Sequence, residues 1–296
     1  MVDVVVATTE RVDFAELAGE SKAMVAALGR AGVSAVLRAW HDDRGPWSDA
    51  QLVLVRTTWD YPDHLPEFES WLRALEAADV QVVNPVAAMR WNLRKSYLLD
   101  LAAHGAAIIP VELAPAGSTL EPAGHVRVMK PQVGAGSSGA RLVAAGERIE
   151  VPYEAVVNPF LPKVAGGERS VFVVEGRVVS VFRKTPSPDD WRVQTEWGGR
   201  YELEDDVPTG VIEAGLKAYD VTDAIVGRGT LCYLRVDLIE REDGEWLVVE
   251  VEGIEPSLYL AVTPAVGDAV AVAVRRRLAR PPPRSDRLGQ NSEPSE

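Results

Sequence analysis

Short β-branched runs alternate with helical patterns through residues 1–85, and this alternation restricts the fold more than any other feature of the sequence. VDVVVAT and AQLVLVRT, at residues 2–8 and 50–57, have the continuous apolar character of strands buried in a parallel sheet. Between them, SKAMVAALGRAG at residues 21–32 has helical spacing and ends at a glycine. Strand–helix–strand alternation of this kind predicts an open α/β layer.

Two more helical patterns follow, separated by VQVVNP, which is typical of a strand. The first, residues 64–80, places its leucines and a phenylalanine on one helical face. The second, residues 91–105, has Asn92 as a good N-cap, which puts Lys95 in the first helical turn. A cation there opposes the helix dipole, and a bound phosphate would relieve the conflict. The alternative is a solvated surface lysine.

The pattern becomes β-rich from about residue 125, with short alternating strands joined by turns that contain glycine. One helix fits residues 209–226, and the hairpin LCYLRVDLIEREDGEWLVVEVEGI follows it. The triple arginine 275–277 suits the end of a last helix, while residues 280–296 have almost no apolar content and predict a disordered tail.

Composition narrows the possible functions of the 296-residue chain. Its formal net charge of −13, with no basic stripe, argues against a nucleic-acid partner. Cys232 is the only cysteine, which excludes an internal disulfide and favours a cytoplasmic setting, and it suits a buried strand better than a nucleophile. The sequence has neither a signal-peptide pattern nor an apolar run of roughly 20 residues, so we expect no membrane partner; a homo-oligomer is possible.

The stretch VMKPQVGAGSSGARLV, residues 128–143, contains glycines in the spacing G-x-G-x-x-G. A dinucleotide site needs a helix after such a run, but ARLVAAGERIEV is a poor helix. A P-loop needs Gly-Lys-Ser/Thr, which is missing, and a kinase glycine loop precedes its lysine, whereas Lys130 comes first. What remains is a strand–loop–strand element that either cradles phosphate with backbone N–H groups or simply connects a hairpin.

The final hairpin turns at Asp243-Gly244, a strong hairpin signal. Counting outward from a two-residue turn pairs Glu242 with Glu245, Leu238 with Val249, Val236 with Val251, Asp237 with Glu250 and Arg235 with Glu252. Directly opposed carboxylates destabilise a sheet, and magnesium bound by both would remove the repulsion. The alternative is a solvated outer face whose register differs by one residue.

Trp59, Asp60 and Tyr61 follow the carboxyl end of a predicted parallel strand, where ligands of open α/β sheets bind. They either shape a substrate pocket or form an aromatic turn that packs on the neighbouring lobe.

These motifs, in this order, resemble the ATP-grasp ligases, most closely the glutathione-synthetase and RimK-like branch, over about residues 84–275. The resemblance implies an α/β pre-domain plus two α+β subdomains that hold ATP between them. Its boundaries fall at residues 1–85 for the pre-domain, 86–157 for the small subdomain and 158–279 for the large one. It also implies ATP and Mg²⁺ as cofactors and a small amino-acid-type substrate.

The resemblance assigns nucleotide contacts to two lysines, the glycine loop, the segment VVNPFLP and a ribose-binding acid: Lys95, Lys130, Gly134, Gly136, Ser137, Ser138, Gly139, Asn158, Phe160, Leu161 and Glu168. It assigns the metal ligands to Asp237, Glu250 and Glu252. In this family the third ligand is commonly asparagine, so Glu252 could be neutralised by Arg235 instead.

Catalytic contacts to phosphate and to a substrate carboxylate are implied for Arg183 and Arg192. A wider substrate-binding set comprises Arg56, Trp59, Asp60, Arg192, Gly198, Gly199, Glu255 and Ser257. The ending VEVEGIEPSLYL departs from the Asn-Ser-Ser-Pro-Gly type of RimK-like enzymes and, with VRTTWDYP and DWRVQTEWGG, is similar to a subgroup that includes a ring-closing ligase.

The resemblance therefore implies a carboxylate–amine ligase that acts through an acyl phosphate, either within one substrate or between two. The alternative is an ATP-binding regulatory module without catalysis. A degenerate module should have lost some of Lys95, Lys130, Asp237 or Glu250, and all four are present.

Overall fold

The computed structural model describes residues 2–9, 15–42 and 47–279, so the predicted tail at residues 280–296 lies outside the described residues. The first layer is a parallel four-stranded sheet in the order β2-β1-β3-β4. Its strands are β1 Val2–Thr8, β2 Ala35–Ala39, β3 Ala50–Thr57 and β4 Gln81–Val83. The α/β layer and the bounds predicted for β1 and β3 are confirmed; β2 was not predicted.

Six α-helices lie within the described residues: α1 Ala15–Arg30, α2 Leu65–Ala77, α3 Val86–Asn92, α4 Tyr97–Ala103, α5 Thr209–Val226 and α6 Ala265–Leu278. The apolar face of α2 is buried through Phe68, Leu72 and Leu75, as its spacing predicts. The prediction for residues 91–105 is wrong, because the chain forms α3, breaks, and starts again at α4.

Asn92 is therefore not an N-cap, and Lys95 lies in the connection between two helices. The Asn92 side chain instead donates to Val251 O at 2.7 Å and accepts from Gly253 N at 2.8 Å. These tertiary bonds outweigh the local capping preference that the sequence suggested.

A second, antiparallel sheet follows in the order β5-β10-β7-β8. Its strands are β5 Glu112–Ala114, β7 Arg127–Pro131, β8 Arg141–Val143 and β10 Ala155–Pro159, and β6 Thr119–Leu120 pairs separately with β9 Ile149–Glu150. The glycine run connects β7 to β8, so the predicted strand–loop–strand element is confirmed.

The third sheet has five antiparallel strands in the order β13-β12-β11-β14-β15. They are β11 Glu168–Val174, β12 Arg177–Thr185, β13 Arg200–Leu203, β14 Tyr233–Glu240 and β15 Trp246–Glu252. One face packs its valines and leucines on α5, which has the predicted bounds. The other face carries the charged side chains of the candidate site.

The β14–β15 hairpin pairs Asp237 with Glu250, as predicted, although the register count contained two errors that cancel. The loop has three residues instead of two, because Arg241 N bonds Glu245 O at 2.8 Å and Gly244 adopts φ 87°. A bulge next to Leu238 then restores the register, so Leu238 pairs with Val248 and not with Val249. Four consecutive apolar residues, 246–249, break the strand alternation and mark the bulge in the sequence.

The parallel sheet is joined to the five-stranded sheet by buried polar side chains. Asn84, directly after β4, is fully buried and donates to Tyr233 O and Gly253 O, each at 2.8 Å. Its Oδ1 accepts from Cys232 N at 2.7 Å. The thiol of Cys232 is buried in the core, which raises its pKa to about 12 and makes it a poor nucleophile. Within the described residues, no helix is both long and apolar enough to cross a membrane.

Candidate functional site

A cleft of about 320 Å³, counting the space open to solvent, separates the second sheet from the five-stranded sheet. Its walls come from both sheets and from the segment after β10: Ile109, Val128, Asn158, Pro159, Phe160, Leu161, Val164, Glu168, Trp191, Ile239 and Val249. The bulge in β15 contributes to it, because Val249 lines the cleft beside Ile239 and does not pair with Leu238. The cleft contains all four of the residues predicted to hold adenine and ribose.

Asn158 is the polar centre of this cleft. Only 5% of the residue is exposed, and its Oδ1 atom has no hydrogen-bond partner in the protein. Its Nδ2 atom donates only a long bond, 3.2 Å, to Pro159 O. A buried acceptor without a donor costs free energy in the free protein, roughly 1–3 kcal/mol, which a ligand N–H group would recover.

The glycine loop, residues 132–140, leaves β7 next to this cleft. Gly136, Ser137 and Gly139 have φ of 60°, 58° and 71°, which turns the backbone sharply. A side chain at Gly139 would lie 2.9 Å from the Pro131 ring, so only glycine fits there. Consecutive residues with such backbone angles, here Gly136 and Ser137, can direct N–H groups to one anion, so the geometry suits the phosphate-binding alternative for this loop.

Lys95 is tied to this loop and is not a solvated surface lysine. The residue is 9% exposed, its backbone N–H donates to Gln132 O at 2.8 Å and its Nζ donates to Gly134 O at 2.9 Å. Its ammonium also lies 3.0 Å from Glu250 Oε1. Lys95 therefore links the glycine loop to the β14–β15 hairpin.

Lys130 precedes the loop on β7 and lies two residues beyond Val128, a cleft residue, so both side chains share one face of the strand. Burial lowers the pKa of Lys130, and Glu250 partly offsets that effect. The amine thus sits between the cleft and the hairpin carboxylates.

We call the polar side of the five-stranded sheet, with the two lysines that approach it, the charged face; it comprises Glu168, Ser170, Lys184, Arg235, Asp237, Glu250, Glu252, Lys95 and Lys130. Strand pairing brings them together, since Glu168 pairs with Lys184, and Asp237 pairs with both Ser170 and Glu250. Four carboxylates thus face four cationic side chains.

Asp237 is the most enclosed of these carboxylates, at 4% exposure. Its Oδ1 accepts from Ser170 Oγ at 2.6 Å and from Arg235 Nε at 3.1 Å. Its Oδ2 accepts from Lys184 Nζ at 2.7 Å and from Arg235 Nη2 at 3.0 Å. Burial alone would raise the pKa of Asp237, but Arg235 and Lys184 outweigh it and hold that pKa far below the usual range.

Glu250 and Glu252 are less constrained. The pKa of Glu250 is lowered because Lys95 and Lys130 outweigh the effect of burial. Glu252 accepts a hydrogen bond from Arg235, the alternative that the sequence left open, yet burial still raises its pKa to about 7. The repulsion between opposed carboxylates is thus already relieved by cations of the chain itself.

Lys184, and not Arg183, reaches the charged face from β12. Successive side chains of a strand point to opposite faces, so only one residue of this pair can do so. Arg183 Nε donates to Gly166 O at 3.1 Å, whereas Lys184 contacts Asp237 and lies 3.2 Å from Glu168 Oε2. Pairing β12 against Glu168 in the sequence could have identified Lys184.

Arg192 lies in the loop after β12 and is held by its neighbours. Asp190 accepts from its Nε at 3.0 Å and from its Nη2 at 2.6 Å, and the guanidinium lies 3.1 Å from the centre of the Trp197 ring. Trp197 Nε1 in turn donates to Gly136 O at 3.2 Å, which ties this loop to the glycine loop.

Gly198 and Gly199 close the turn of that same loop. Gly198 has φ 80°, and a side chain at Gly199 would lie 2.1 Å from Val193 O. The backbone packing of the loop therefore explains why glycine stands at both positions. The substrate contact predicted for them stays a prediction.

The predicted substrate residues of the first sheet are largely internal. Arg56 is 1% exposed and donates to Pro256 O at 2.7 Å and Tyr233 Oη at 3.2 Å. Asp60 is 3% exposed and accepts from Trp40 Nε1 at 2.8 Å. Both side chains are engaged in holding the protein together, so the structure gives them a positioning role instead of open access to a substrate.

The segment after β15 is anchored from the first sheet. Trp59 Nε1 donates to Glu255 O at 2.8 Å, as the packing alternative for this turn predicted, and Ser257 O accepts from Arg235 Nη1 at 3.3 Å. The Glu255 carboxyl is buried at 7% exposure, and burial together with Glu252 raises its pKa to about 8. The Glu255 carboxyl is therefore mostly protonated at neutral pH in the free protein, and a cationic group bound beside it would lower its pKa and favour the carboxylate.

The residues that line the cleft have the chemistry to bind an adenine nucleotide. Its apolar walls suit a flat ring, the unpartnered Oδ1 of Asn158 suits an amino group, and the lysines and glycine loop at its end suit phosphates. The metal ligand set fits only in part, since all four acceptor positions of Asp237 are taken, while Glu250 and Glu252 offer carboxylate oxygens. Across residues 2–9, 15–42 and 47–279, no three His, Cys, Asp or Glu side chains are arranged as a metal site.

The ATP-grasp fold is defined by three sheets with a cleft between the second and third, together with a glycine loop, two lysines and a carboxylate hairpin. Solved structures show the same fold. D-alanine–D-alanine ligase from Bacillus anthracis, complexed with ATP, superimposes with a TM-score of 0.68 at 13% identity, over 94% of this chain and 99% of that one.

Greater similarity is found to D-cycloserine synthetase. Residues 4–84 match the family of the N-terminal domain of D-cycloserine synthetase DcsG. The cycloserine biosynthesis protein DcsG of Streptomyces lavendulae is 26% identical over 276 residues, which cover 83% of this chain and 90% of that protein. The crystal structure of D-cycloserine synthetase DcsG superimposes with a TM-score of 0.80 at 22% identity, over 93% of this chain and 99% of that one.

The resemblance to ATP-grasp ligases that the sequence motifs indicated is confirmed by these similarities. So is the similarity to the subgroup with a ring-closing ligase, which is D-cycloserine synthetase. Sequence reasoning missed Lys184 and Ser170 as members of the site, and it named Arg235 only as a partner of Glu252.

Proposed function

We propose that the protein is an ATP- and Mg²⁺-dependent carboxylate–amine ligase, and that its specific reaction is the closure of O-ureido-D-serine to D-cycloserine. The observation that carries the proposal is the continuity of the cleft with the charged face. Glu168 lines the cleft and is also the ion-pair partner of Lys184. A nucleotide seated on Asn158 would therefore extend its phosphates toward Lys130, Lys95 and the hairpin.

Bound ATP supplies the phosphoryl group that turns a carboxylate into an acyl phosphate, from which a nitrogen nucleophile displaces phosphate. The chain positions the partners and neutralises charge, which is what phosphoryl transfer requires of a protein. Lys95 and Lys130 would hold phosphate oxygens from the side of the glycine loop. Glu250 and Glu252 would provide carboxylate oxygens for the magnesium ion that accompanies the nucleotide.

Arg192 and Glu255 are the residues that we assign to the substrate. An amino acid carries a carboxylate and an ammonium group, so it needs one cationic and one anionic partner. Arg192 is oriented by Asp190 and Trp197 beside the glycine loop. Glu255 is a buried carboxyl in the segment after the metal hairpin, which suits an ammonium group.

Ring closure is favoured over joining two molecules by the similarity to D-cycloserine synthetase along most of both chains. The oxygen-linked nitrogen of the ureido group would attack the activated carboxyl within the same molecule and release phosphate. Its carbamoyl group then leaves by hydrolysis as carbon dioxide and ammonia, which balances the reaction.

The test is ADP release with purified protein, ATP, MgCl₂ and O-ureido-D-serine, with the product identified by mass spectrometry. We expect ADP and D-cycloserine in equal amounts, and no ADP with O-ureido-L-serine. ADP release only with two separate amino acids would contradict ring closure and retain a ligase. ATP binding without turnover of any carboxylate and amine pair would favour the regulatory module.

A further inference from the structure

The chain between β15 and α6 forms neither helix nor strand, and part of its backbone is held by side chains of the first layer. We call residues 255–260 the anchored segment. At its start, Arg56 Nη2 donates to Pro256 O at 2.7 Å. At its end, the backbone N–H groups donate to the carboxylate of Glu20. Buried backbone groups need partners, and here the first layer supplies them.

Glu20, on α1, binds the backbone on both sides of Tyr259. Its Oε2 accepts from Leu258 N at 3.1 Å, and its Oε1 accepts from Leu260 N at 2.8 Å. The side chains of both leucines enter the hydrophobic core to which α1 also contributes. The Glu20 side chain is 10% exposed, and Arg56 Nη2 lies 3.5 Å from its Oε2. Hydrogen bonds to a charged acceptor are strong, so Glu20 fixes the backbone around Tyr259.

Tyr259 needs this support because its backbone is left-handed, with φ 51°. A bulky residue rarely adopts this conformation, and it persists only where the surroundings impose it. The two bonds to Glu20 lie directly before and after the residue. Its carbonyl oxygen is also engaged, since it accepts from Val262 N at 2.9 Å and from Thr263 N at 3.1 Å.

The left-handed conformation places the Tyr259 ring among aromatic side chains of the five-stranded sheet. The ring stacks on Tyr201, with centroids 4.2 Å apart and planes at 20°. It also lies 5.0 Å from the Phe182 ring and 5.8 Å from the Phe172 ring, and its centroid is 6.0 Å from the guanidinium of Arg235. The ring therefore lies against the sheet and next to a member of the charged face.

Strand pairing shows which part of the charged face the ring borders. Phe172 pairs with Arg235 across β11 and β14, so it lies on the same side of the sheet as the charged face. Glu168, where the charged face meets the cleft, lies four residues away from Phe172 on β11, or roughly 13 Å at the usual rise per residue. Tyr259 thus borders the charged face at the end away from the cleft.

We propose that Glu20 is a positioning residue for the amino-acid substrate, and that it acts through Tyr259. The carboxylate holds Tyr259 in its left-handed conformation, and the ring so placed forms the wall of the substrate site opposite the nucleotide. The inference rests on the proposed function, because it takes the end of the charged face away from the cleft as the place of the substrate. It gives the first layer a part in substrate binding although Glu20 itself does not touch the substrate.

The first experiment measures ADP release at varied O-ureido-D-serine and at varied ATP. Glu20→Ala removes both bonds, and the KM for O-ureido-D-serine should rise roughly 10-fold or more, while the KM for ATP stays unchanged. Glu20→Gln keeps one acceptor oxygen and should give a smaller rise. Asp268→Asn is the matched control, because Asp268 also joins α6 to α1, through Arg30 at 2.5 Å, but does not contact the anchored segment.

A double-mutant cycle tests whether Glu20 acts through Tyr259. Asparagine tolerates the left-handed conformation, so Tyr259→Asn removes the ring without straining the backbone, and it should raise the KM for O-ureido-D-serine. Adding Glu20→Ala to Tyr259→Asn should raise this KM no further. Independent factors that multiply would overturn the proposal, as would an unchanged KM in Tyr259→Asn. Tyr259→Phe keeps the ring and should have nearly the KM of the unmodified chain.

Melting temperatures and calorimetry with ADP distinguish positioning from a structural role. The ADP Kd should be unchanged in both Glu20 variants, and Glu20→Gln provides the result if Glu20→Ala does not fold. A lower melting temperature with the KM of Asp268→Asn would show that Glu20 only stabilises the fold and would overturn the proposal.

The same measurements separate this proposal from the proposed function. If the unmodified chain releases no ADP with O-ureido-D-serine or with any other carboxylate and amine, the proposed function is wrong and the role of Glu20 falls with it. If the unmodified chain turns over O-ureido-D-serine and both Glu20 variants keep its KM, only the role of Glu20 is overturned.

Discussion

The cleft and the charged face meet at Glu168, yet they satisfy their polar groups in opposite ways. In the cleft, a buried acceptor of Asn158 has no partner. On the charged face, Asp237 has every acceptor position filled by the chain itself. Unpaired buried polar groups are costly, and so are unpaired buried charges. The difference indicates that a ligand satisfies the free polar group of the cleft, whereas the chain itself satisfies the polar groups in the inner part of the charged face.

The largest change, a loss of folding stability, is expected for Asp237→Asn. The substitution leaves Lys184 and Arg235 buried side by side with one counter-charge fewer, and breaking such a pair costs about 3–5 kcal/mol. Chemical denaturation without metal should show that loss. Counting only the carboxylates of the hairpin would predict the reverse, since removing one of two opposed carboxylates relieves repulsion.

The matched control is Asp243→Asn at the exposed tip of the same hairpin, where the loss should be small. Equal stability of Asp237→Asn and the unmodified chain would contradict the view that the charged face is internally complete.

The second-largest change is expected in the pH dependence of folding stability, which Glu255 influences. Its pKa of about 8 in the folded chain exceeds the ordinary value of 4.5, so folding favours the protonated form. The stabilisation is present below pH 4.5 and is lost as pH rises from there through 8, by an amount on the order of 3–5 kcal/mol. Glu255→Gln keeps a neutral side chain and should therefore lose less stability between pH 5 and pH 9.

Melting temperatures across that range provide the measurement. Glu213→Gln, an exposed site on α5, should follow the unmodified chain at every pH. Parallel curves for Glu255→Gln and the unmodified chain would show that the Glu255 carboxyl is not buried as described.

Lys130→Ala tests the border between the two regions. Loss of a charge-assisted contact to phosphate should weaken ADP binding by about 1.5–3 kcal/mol, or roughly 10- to 150-fold in Kd. Isothermal calorimetry would detect this change, with the exposed Lys217→Ala as control. If the Kd for ADP is the same in both variants, Lys130 does not contact the nucleotide.

The smallest and most selective change is expected for two buried asparagines, whose substitution should affect ADP affinity and stability in opposite ways. Asn158→Ala should weaken ADP binding by about 0.5–1.5 kcal/mol with little loss of stability, because its Oδ1 has no partner in the protein. Asn84→Ala should do the opposite, since its amide bonds Cys232, Tyr233 and Gly253. Loss of stability in Asn158→Ala without loss of affinity would remove it from the nucleotide site.

Regular elements could be predicted from the sequence because their signals are local. The strands β1 and β3 and the helix α5 have the predicted bounds, since continuous or periodic apolar residues determine them. The pairing of Asp237 with Glu250 was also predicted, although the longer loop and the bulge escaped the count.

The partners of the site residues could not be predicted in the same way. The break before Lys95 is fixed by its bond to Gln132 O and by the contacts of Asn92 with the hairpin, which connect residues far apart in sequence. The sequence showed the carboxylates of one hairpin, but the cation that neutralises Asp237 comes from β12. Only the pairing of separate strands reveals that contact.

The most direct test of the difference between the cleft and the charged face is a crystal structure with ADP and Mn²⁺, in which anomalous scattering locates the ion. We predict the adenine ring in the cleft with its amino group in hydrogen-bond distance of Asn158 Oδ1, and the ion on the carboxylates of the β14–β15 hairpin. An adenine outside the cleft, or an ion away from these carboxylates, would contradict the account.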